Sequence, residues 1–265
     1  MQLGSLFKKY TVEQWHIIDH DFRGKIHAPT VDRKLLTVVL ILLCVLILLQ
    51  YVGKSAVVRQ YDWFMAWCQV FPEPKLGPKL YWATFRVFFY CVPALLVIRY
   101  VYGAKLADFN IQLERNPKTL AIYGLILCLI LPVVYGVSTS SAFLRQYPIY
   151  KLAGSSWFDL VVWELAYGAQ FFALEFFYRG FCLVAFARVF GAAAIFIMAI
   201  PYTMIHFLKP MPEAAGAVLA AIVLGTLALR TRSIFGGVLI HISVAWAMDL
   251  LALYHKGQLS KLTAG

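Results

Sequence analysis

Along this chain the hydrophobic residues fall in long, nearly uncharged blocks separated by short polar stretches. The clearest block, Leu35–Val52 (LLTVVLILLCVLILLQYV), carries no charge. A hydrocarbon layer about 30 Å thick takes about 20 mostly apolar residues per helix, so this block predicts a membrane crossing. The same pattern predicts crossings over Leu80–Ile98, which contains Arg86, and over Thr119–Val137. Further blocks run from Phe158 to Arg188, then Ala192–Phe207, Ala214–Leu229 and Ile234–Tyr254. Pro72, Pro74, Gly77 and Pro78 mark a turn-rich loop ahead of the second crossing. The preceding segment AVVRQYDWFMAWCQV is short and bears Arg59 and Asp62. It predicts an interfacial helix with a tryptophan belt, Trp63 and Trp67, rather than a crossing. No repeat of fixed period is visible. The expected fold is an all-α polytopic membrane protein with seven to eight transmembrane helices.

Composition agrees with that pattern. Apolar residues make up 62% of the 265, charged residues 14%, and the mean hydropathy is +0.73. Soluble domains run about 45–50% apolar and about 25% charged, so neither an ordinary soluble domain nor a disordered chain fits. The net charge of +11 would suggest nucleic acid in a soluble protein. Among membrane spans it suits loops facing anionic headgroups instead, and no nucleic-acid partner is expected. With the N-terminus inside, Lys and Arg divide fourteen to nine in favour of the cytoplasmic side. Residues 1–34 are polar and read as an N-terminal cytoplasmic segment rather than a cleavable signal peptide, because the first apolar run is too long and lies too far in. Residues 35–155 form an N-terminal transmembrane region with the interfacial loop helix, and 255–265 a short tail. Cys44, Cys68, Cys91, Cys128 and Cys182 are scattered mostly inside apolar runs, without zinc spacing, and read as buried inert thiols.

Ionisable residues deep in a membrane are expensive and carry a functional hypothesis by default. Three groups stand out: Glu175 with Arg179 in LEFFYRGF, His206 in YTMIHFLKP and His241 in GGVLIHISVAW. If Phe158–Arg188 is one helix turning near Val189–Gly191, Glu175 stands about 20 Å from that turn at about 1.5 Å per residue. His206 on the returning helix stands about 24 Å from it, and His241 about 13 Å up the last helix. With about 20° of tilt the three can share one layer. A buried Glu with two histidines is a plausible water-activating set. The alternative is structural: Glu175 and Arg179 are spaced i,i+4 and can neutralise one another, and an intramembrane His can simply hydrogen-bond a neighbouring helix. His16 and His20, with Asp19 and Asp21 nearby, read as a solvated amphipathic face. Glu164, three turns before Glu175 and about 16 Å away, is outside that site and pairs with Arg86 or another span.

These residues also carry a family resemblance. Glu175-Phe-Phe-Tyr-Arg179-Gly180, then Tyr202-x-x-x-His206, then His241 after Ser233-Ile-Phe-Gly-Gly-Val-Leu-Ile, resemble the ordered motifs EExxxR, FxxxH and HxxxN of the CPBP (Abi) family. That family comprises CAAX prenyl proteases of the Rce-one type and bacteriocin-processing intramembrane proteases. The resemblance covers roughly residues 156–254 and implies a CPBP-like intramembrane protease core there. It implies Glu175, His206 and His241 as catalytic residues, with Arg179 and Tyr202 supporting them. Two positions depart from the family pattern. The first Glu of the motif falls on Leu174, and the Asn four residues after the second His falls on Ala245.

Two readings of function follow. In one, the chain is an intramembrane endopeptidase that cleaves a membrane-associated protein or peptide: Glu175 is the base, His206 orients the water and His241 holds the oxyanion. In the other, it is a catalytically degenerate scaffold of the same fold that binds or escorts a membrane-protein partner. A transporter has less support, since no repeat pairs two broken helices. The spacing matches no HExxH pattern, so neither a metal nor another cofactor is expected. The expected location is a bacterial inner membrane, with the lipid bilayer itself as a partner.

Overall fold

The computed structural model describes residues 12–23 and 32–264; residues 1–11 and 24–31 of the expected N-terminal segment lie outside the described residues. All regular structure among the described residues is helical. Five helices are long and apolar enough to cross a membrane: Arg33–Tyr51, Leu76–Val101, Pro117–Val137, Met211–Thr231 and Phe235–His255. Each falls on a block the sequence marks as a crossing. By length and composition these five helices make this an integral membrane protein.

Labelled in chain order, the helices are α1 (Val12–Arg23), α2 (Arg33–Tyr51), α3 (Ser55–Arg59), α4 (Asp62–Trp67), α5 (Leu76–Leu96), α6 (Pro117–Val137) and α7 (Ser141–Gln146). After them come α8 (Trp157–Glu175), α9 (Leu183–Phe190), α10 (Ala193–Met204), α11 (Met211–Thr231), α12 (Phe235–His255) and α13 (Leu259–Ala264). The chain from α8 to α9 runs through a π-helical turn, Phe176–Cys182. The expected interfacial helix is broken into α3, α4 and a 3₁₀ turn at Cys68–Val70, with Trp63 and Trp67 exposed.

The returning helix is shorter than its apolar block. It ends at Met204, and His206 lies in the turn beyond it rather than on a helix. Pro210 keeps the helix from resuming beyond that turn, because the residue before a proline is disfavoured in the helical region. Lys209 therefore stays outside the helix, and the chain closes with short-range bonds such as Lys209 N–H to His206 O.

The chain divides into two compact units. The first comprises Met1–Leu43, Pro93–Thr119 and Glu175–Gly237. Its core is built by α9, α10 and α11 with the π turn, and small residues allow the backbones to approach. A Cβ on Gly225 of α11 would touch both Ile195 and Leu183 at 3.5 Å. The amphipathic α1 docks here through its apolar face: Ile18 is buried, Trp15 Nε1 donates to Thr226 Oγ1, and Asp19 Oδ1 accepts from Ala192 N–H at 2.7 Å. His16 and His20 lie exposed on the opposite side, the solvated face read from their spacing.

The second unit comprises Cys44–Val92, Leu120–Leu174 and Val238–Gly265. An aromatic ladder at i,i+4 spacing on α8, Trp163, Tyr167 and Phe171, forms its core with Tyr150, Ala245 and Leu253. Ser156 caps α8, accepting from Asp159 N–H at 3.0 Å, while Tyr150 donates to Asp159 Oδ1. Burial and the adjacent Asp159 carboxylate push the Tyr150 hydroxyl above its ordinary pKa. Arg86 donates to the carbonyls of Gly53 and Trp82 and lies over the Trp82 ring. The five cysteines are free thiols; Cys68 and Cys182 are buried as expected, whereas Cys44 and Cys128 face outward.

Candidate active site

Glu175 closes α8, at the point where the helix widens into the π turn. Single π turns recur at functional sites because they rotate the following side chains off the regular helical face. Here the Leu183 N–H reaches Tyr178 O, five residues back. Arg179 lies within the turn, and its Nη1 stands 2.9 Å from Glu175 Oε1. The pair is almost wholly enclosed, with side-chain exposures of 0% for Glu175 and 4% for Arg179. Removing either partner would strand a charge in a medium that cannot solvate it.

Aromatic rings wall the pair. The Arg179 guanidinium lies 3.8 Å over the Tyr202 ring, and Tyr178 meets the same ring edge-on at 5.5 Å. A planar, delocalised cation suits that face better than an ammonium would. Tyr202 also reaches His206, with ring centroids 5.0 Å apart. His206 is buried and its Nδ1 lies 2.9 Å from the Tyr202 carbonyl. A carbonyl only accepts, so Nδ1 carries the proton and Nε2 is the basic nitrogen. The first unit thus brings Glu175, Arg179, Tyr202 and His206 into one sequence of contacts, with Tyr202 as the link. A narrow cleft runs beside them, bounded by Tyr178, Arg179, Met198, Tyr202 and Gly225.

On the other side Gly237 of α12 abuts the carboxylate. A Cβ at Gly237 would stand 2.5 Å from Glu175 Oε2. Only glycine lets the backbone pass so close.

His241, the third expected catalytic residue, belongs to the second unit, half-buried, with its ring stacked on Phe171 at 5.5 Å and 8°. Leu174 and Ala245, which occupy the two departing motif positions, are buried in the same unit. Among the described residues no group of three or more His, Cys, Asp or Glu side chains is placed to hold a metal ion.

Several residues that matter here carry little signal in the sequence. Gly237 was legible only as part of an apolar motif. Asp249 is a fully buried acid on α12 that accepts from Trp163 Nε1 at 2.8 Å and from Ile149 N–H at 3.0 Å. A lone carboxylate in an apolar span was the available signal. Glu164, also buried, lies within electrostatic reach of Asp249. Asn110 gave no signal, being one polar residue in a loop.

Neither a curated protein nor a solved structure matches the chain. Residues 154–247 match the family model described as type II CAAX prenyl endopeptidase Rce1-like. That stretch holds Glu175, Arg179, Tyr202, His206, Gly237 and His241, the residues that carry the motifs. Over residues 154–247 the chain is therefore similar to the Rce1-like endopeptidases, the group that the motifs around Glu175, His206 and His241 resemble.

Proposed function

We propose that this protein is an intramembrane endopeptidase that hydrolyses a peptide bond in a membrane-associated protein or peptide through a Glu/His-activated water. The observation that supports it most is the linked set in the first unit: a fully buried carboxylate, its guanidinium partner and a buried histidine around Tyr202, all inside the Rce1-like stretch. In this reading Glu175 takes the proton of the attacking water. His206 orients that water through Nε2, since Nδ1 is engaged at the Tyr202 carbonyl. His241 stabilises the oxyanion, Arg179 fixes the carboxylate, and Tyr202 holds both Arg179 and His206 in place. Ala245 supplies no amide to the oxyanion; loss of one such donor typically costs about 10²–10³ in rate, so turnover is expected to be slow.

In this proposal residues 156–254 form the protease core. Residues 157–190 and Ala193–Met204 join the five long apolar helices as crossings six and seven of the seven to eight expected, with the N-terminus cytoplasmic in a bacterial inner membrane. Neither a metal nor a prosthetic group takes part.

The test is cleavage of membrane-anchored peptides by the purified protein in lipid nanodiscs. Glu175→Gln should reduce cleavage per folded molecule at least about 10²-fold. Undiminished cleavage by Glu175→Gln would remove Glu175 as base. A wild-type protein that cleaves no peptide, with a cellular phenotype that survives Glu175→Gln, would replace the enzyme by a scaffold of the same fold.

A further inference from the structure

The carboxylate site is gripped from a part of the chain that lies outside the Rce1-like stretch. Asn110 follows a 3₁₀ turn, Leu106–Phe109, and sits fully buried in the left-handed region with φ +63°. Asn tolerates that conformation better than most L-residues. It makes two bonds with different segments of the first unit. Its Nδ2 donates to the Arg179 carbonyl at 3.2 Å, within the π turn. Its own carbonyl accepts from Ile234 N–H at 3.0 Å, just before α12 begins. The partner of the side chain is a carbonyl, so the amide nitrogen must face it.

Those two segments are the backbone walls of the Glu175 carboxylate. The π turn carries Arg179, which holds Oε1, and the start of α12 carries Gly237, which abuts Oε2. The neighbouring residues press the same way. Phe109 O would stand 3.0 Å from a Cβ on Gly180, an approach that glycine permits. Phe109 is fully buried, with its ring 6.2 Å from that of Phe181. Arg188 lies over the Phe109 ring at 4.6 Å and donates to the Asp108 carbonyl.

We infer that Asn110 is a positioning residue: it ties the π turn to the entry of α12 and so sets the gap in which the Glu175–Arg179 pair sits. It touches neither carboxylate nor substrate and acts through the backbone. Its consequence for cleavage rests on the endopeptidase reading, whereas its grip on the π turn does not.

Hydrogen exchange of the full-length protein in nanodiscs tests the grip directly. Asn110→Gly keeps the left-handed backbone and the carbonyl for Ile234 but loses the amide donor. Asn110→Asp keeps the size and sets a carboxylate oxygen against the Arg179 carbonyl. Amides of Phe176–Cys182 should exchange at least about tenfold faster in both variants, while those of α6 keep the wild-type rate. If either variant fails to fold, the other decides. Unchanged exchange over Phe176–Cys182 overturns the inference. With an active wild-type protein, kcat for the anchored peptide should fall about 10²-fold with KM nearly constant, as displacement of a catalytic group by about 1 Å does. Loosened exchange with wild-type kcat also overturns it. A wild-type protein that cleaves nothing counts against the endopeptidase reading alone, and the exchange result still decides the role of Asn110.

Discussion

Gly237 and Glu175 are fitted so closely that a methyl group on the glycine would stand 2.5 Å from the carboxylate oxygen Oε2. Arg179 holds the other oxygen at 2.9 Å, so the carboxylate has little room to retreat. Gly237→Ala should therefore overpack the site and destabilise the fold by about 1–3 kcal/mol. Thermal unfolding in detergent measures this, and a Tm equal to the parent's would show that the carboxylate has another position to adopt.

Arg179 is both a counter-charge and a planar surface. Arg179→Ala leaves the Glu175 carboxylate buried and uncompensated, which costs about 3–5 kcal/mol. Arg179→Lys keeps the charge but loses the flat stack on Tyr202, 3.8 Å away. Stability should rank parent, then Arg179→Lys, then Arg179→Ala, whether or not the protein is a catalyst. Equal denaturation midpoints for parent and Arg179→Ala would contradict a buried pair.

In the second unit Asp249 is expected to be a structural anchor. Its carboxylate satisfies two donors, the Trp163 indole and the Ile149 backbone amide. Asp249→Ala orphans both, at about 1–3 kcal/mol for each buried group left unpaired. Asp249→Asn retains an acceptor and should recover part of that loss. Tryptophan fluorescence during unfolding reports it, and equal midpoints for Asn and Ala would mean that the carboxylate charge, rather than hydrogen bonding, is what matters.

Docking of α1 can be read through one bond. Asp19 Oδ1 accepts from Ala192 N–H at the start of α10, where a helix presents unpaired donors and favours negative charge. Asp19→Ala should cost about 1 kcal/mol, as loss of a capping side chain does. Limited proteolysis should release α1 faster in the variant. An unchanged cleavage rate would assign the docking to Trp15 and Ile18 alone.

Much of the fold was legible because a membrane imposes its requirement on each helix separately. Twenty-odd apolar residues in a row are a local property, and Arg33–Tyr51, Pro117–Val137 and Phe235–His255 fall where the blocks lie. The Glu175–Arg179 pair was legible for the same reason, since i,i+4 spacing on one helix brings side chains together without help from the rest of the chain. His206 was recognisable by type, but its setting was not. The apolar block runs on past Met204, whereas in the structure the helix stops there and His206 lies in the turn that follows.

Only the tertiary structure decided how the carboxylate is enclosed. The ring under Arg179 comes from Tyr202, the backbone against Oε2 from Gly237, and the amide on the π turn from Asn110, 69 residues before Arg179. None of these three shares a helical period with Glu175, so no pattern along the chain joins them. They meet because close-packed backbones leave room for one arrangement, and a glycine or a single asparagine amide acquires its role only from what lies opposite it. The sequence by itself determined where the five long apolar helices lie and which charges stand one helical turn apart, since both follow from local hydropathy and spacing. The shape of the pocket around those charges was decided by contacts between residues far apart in the chain.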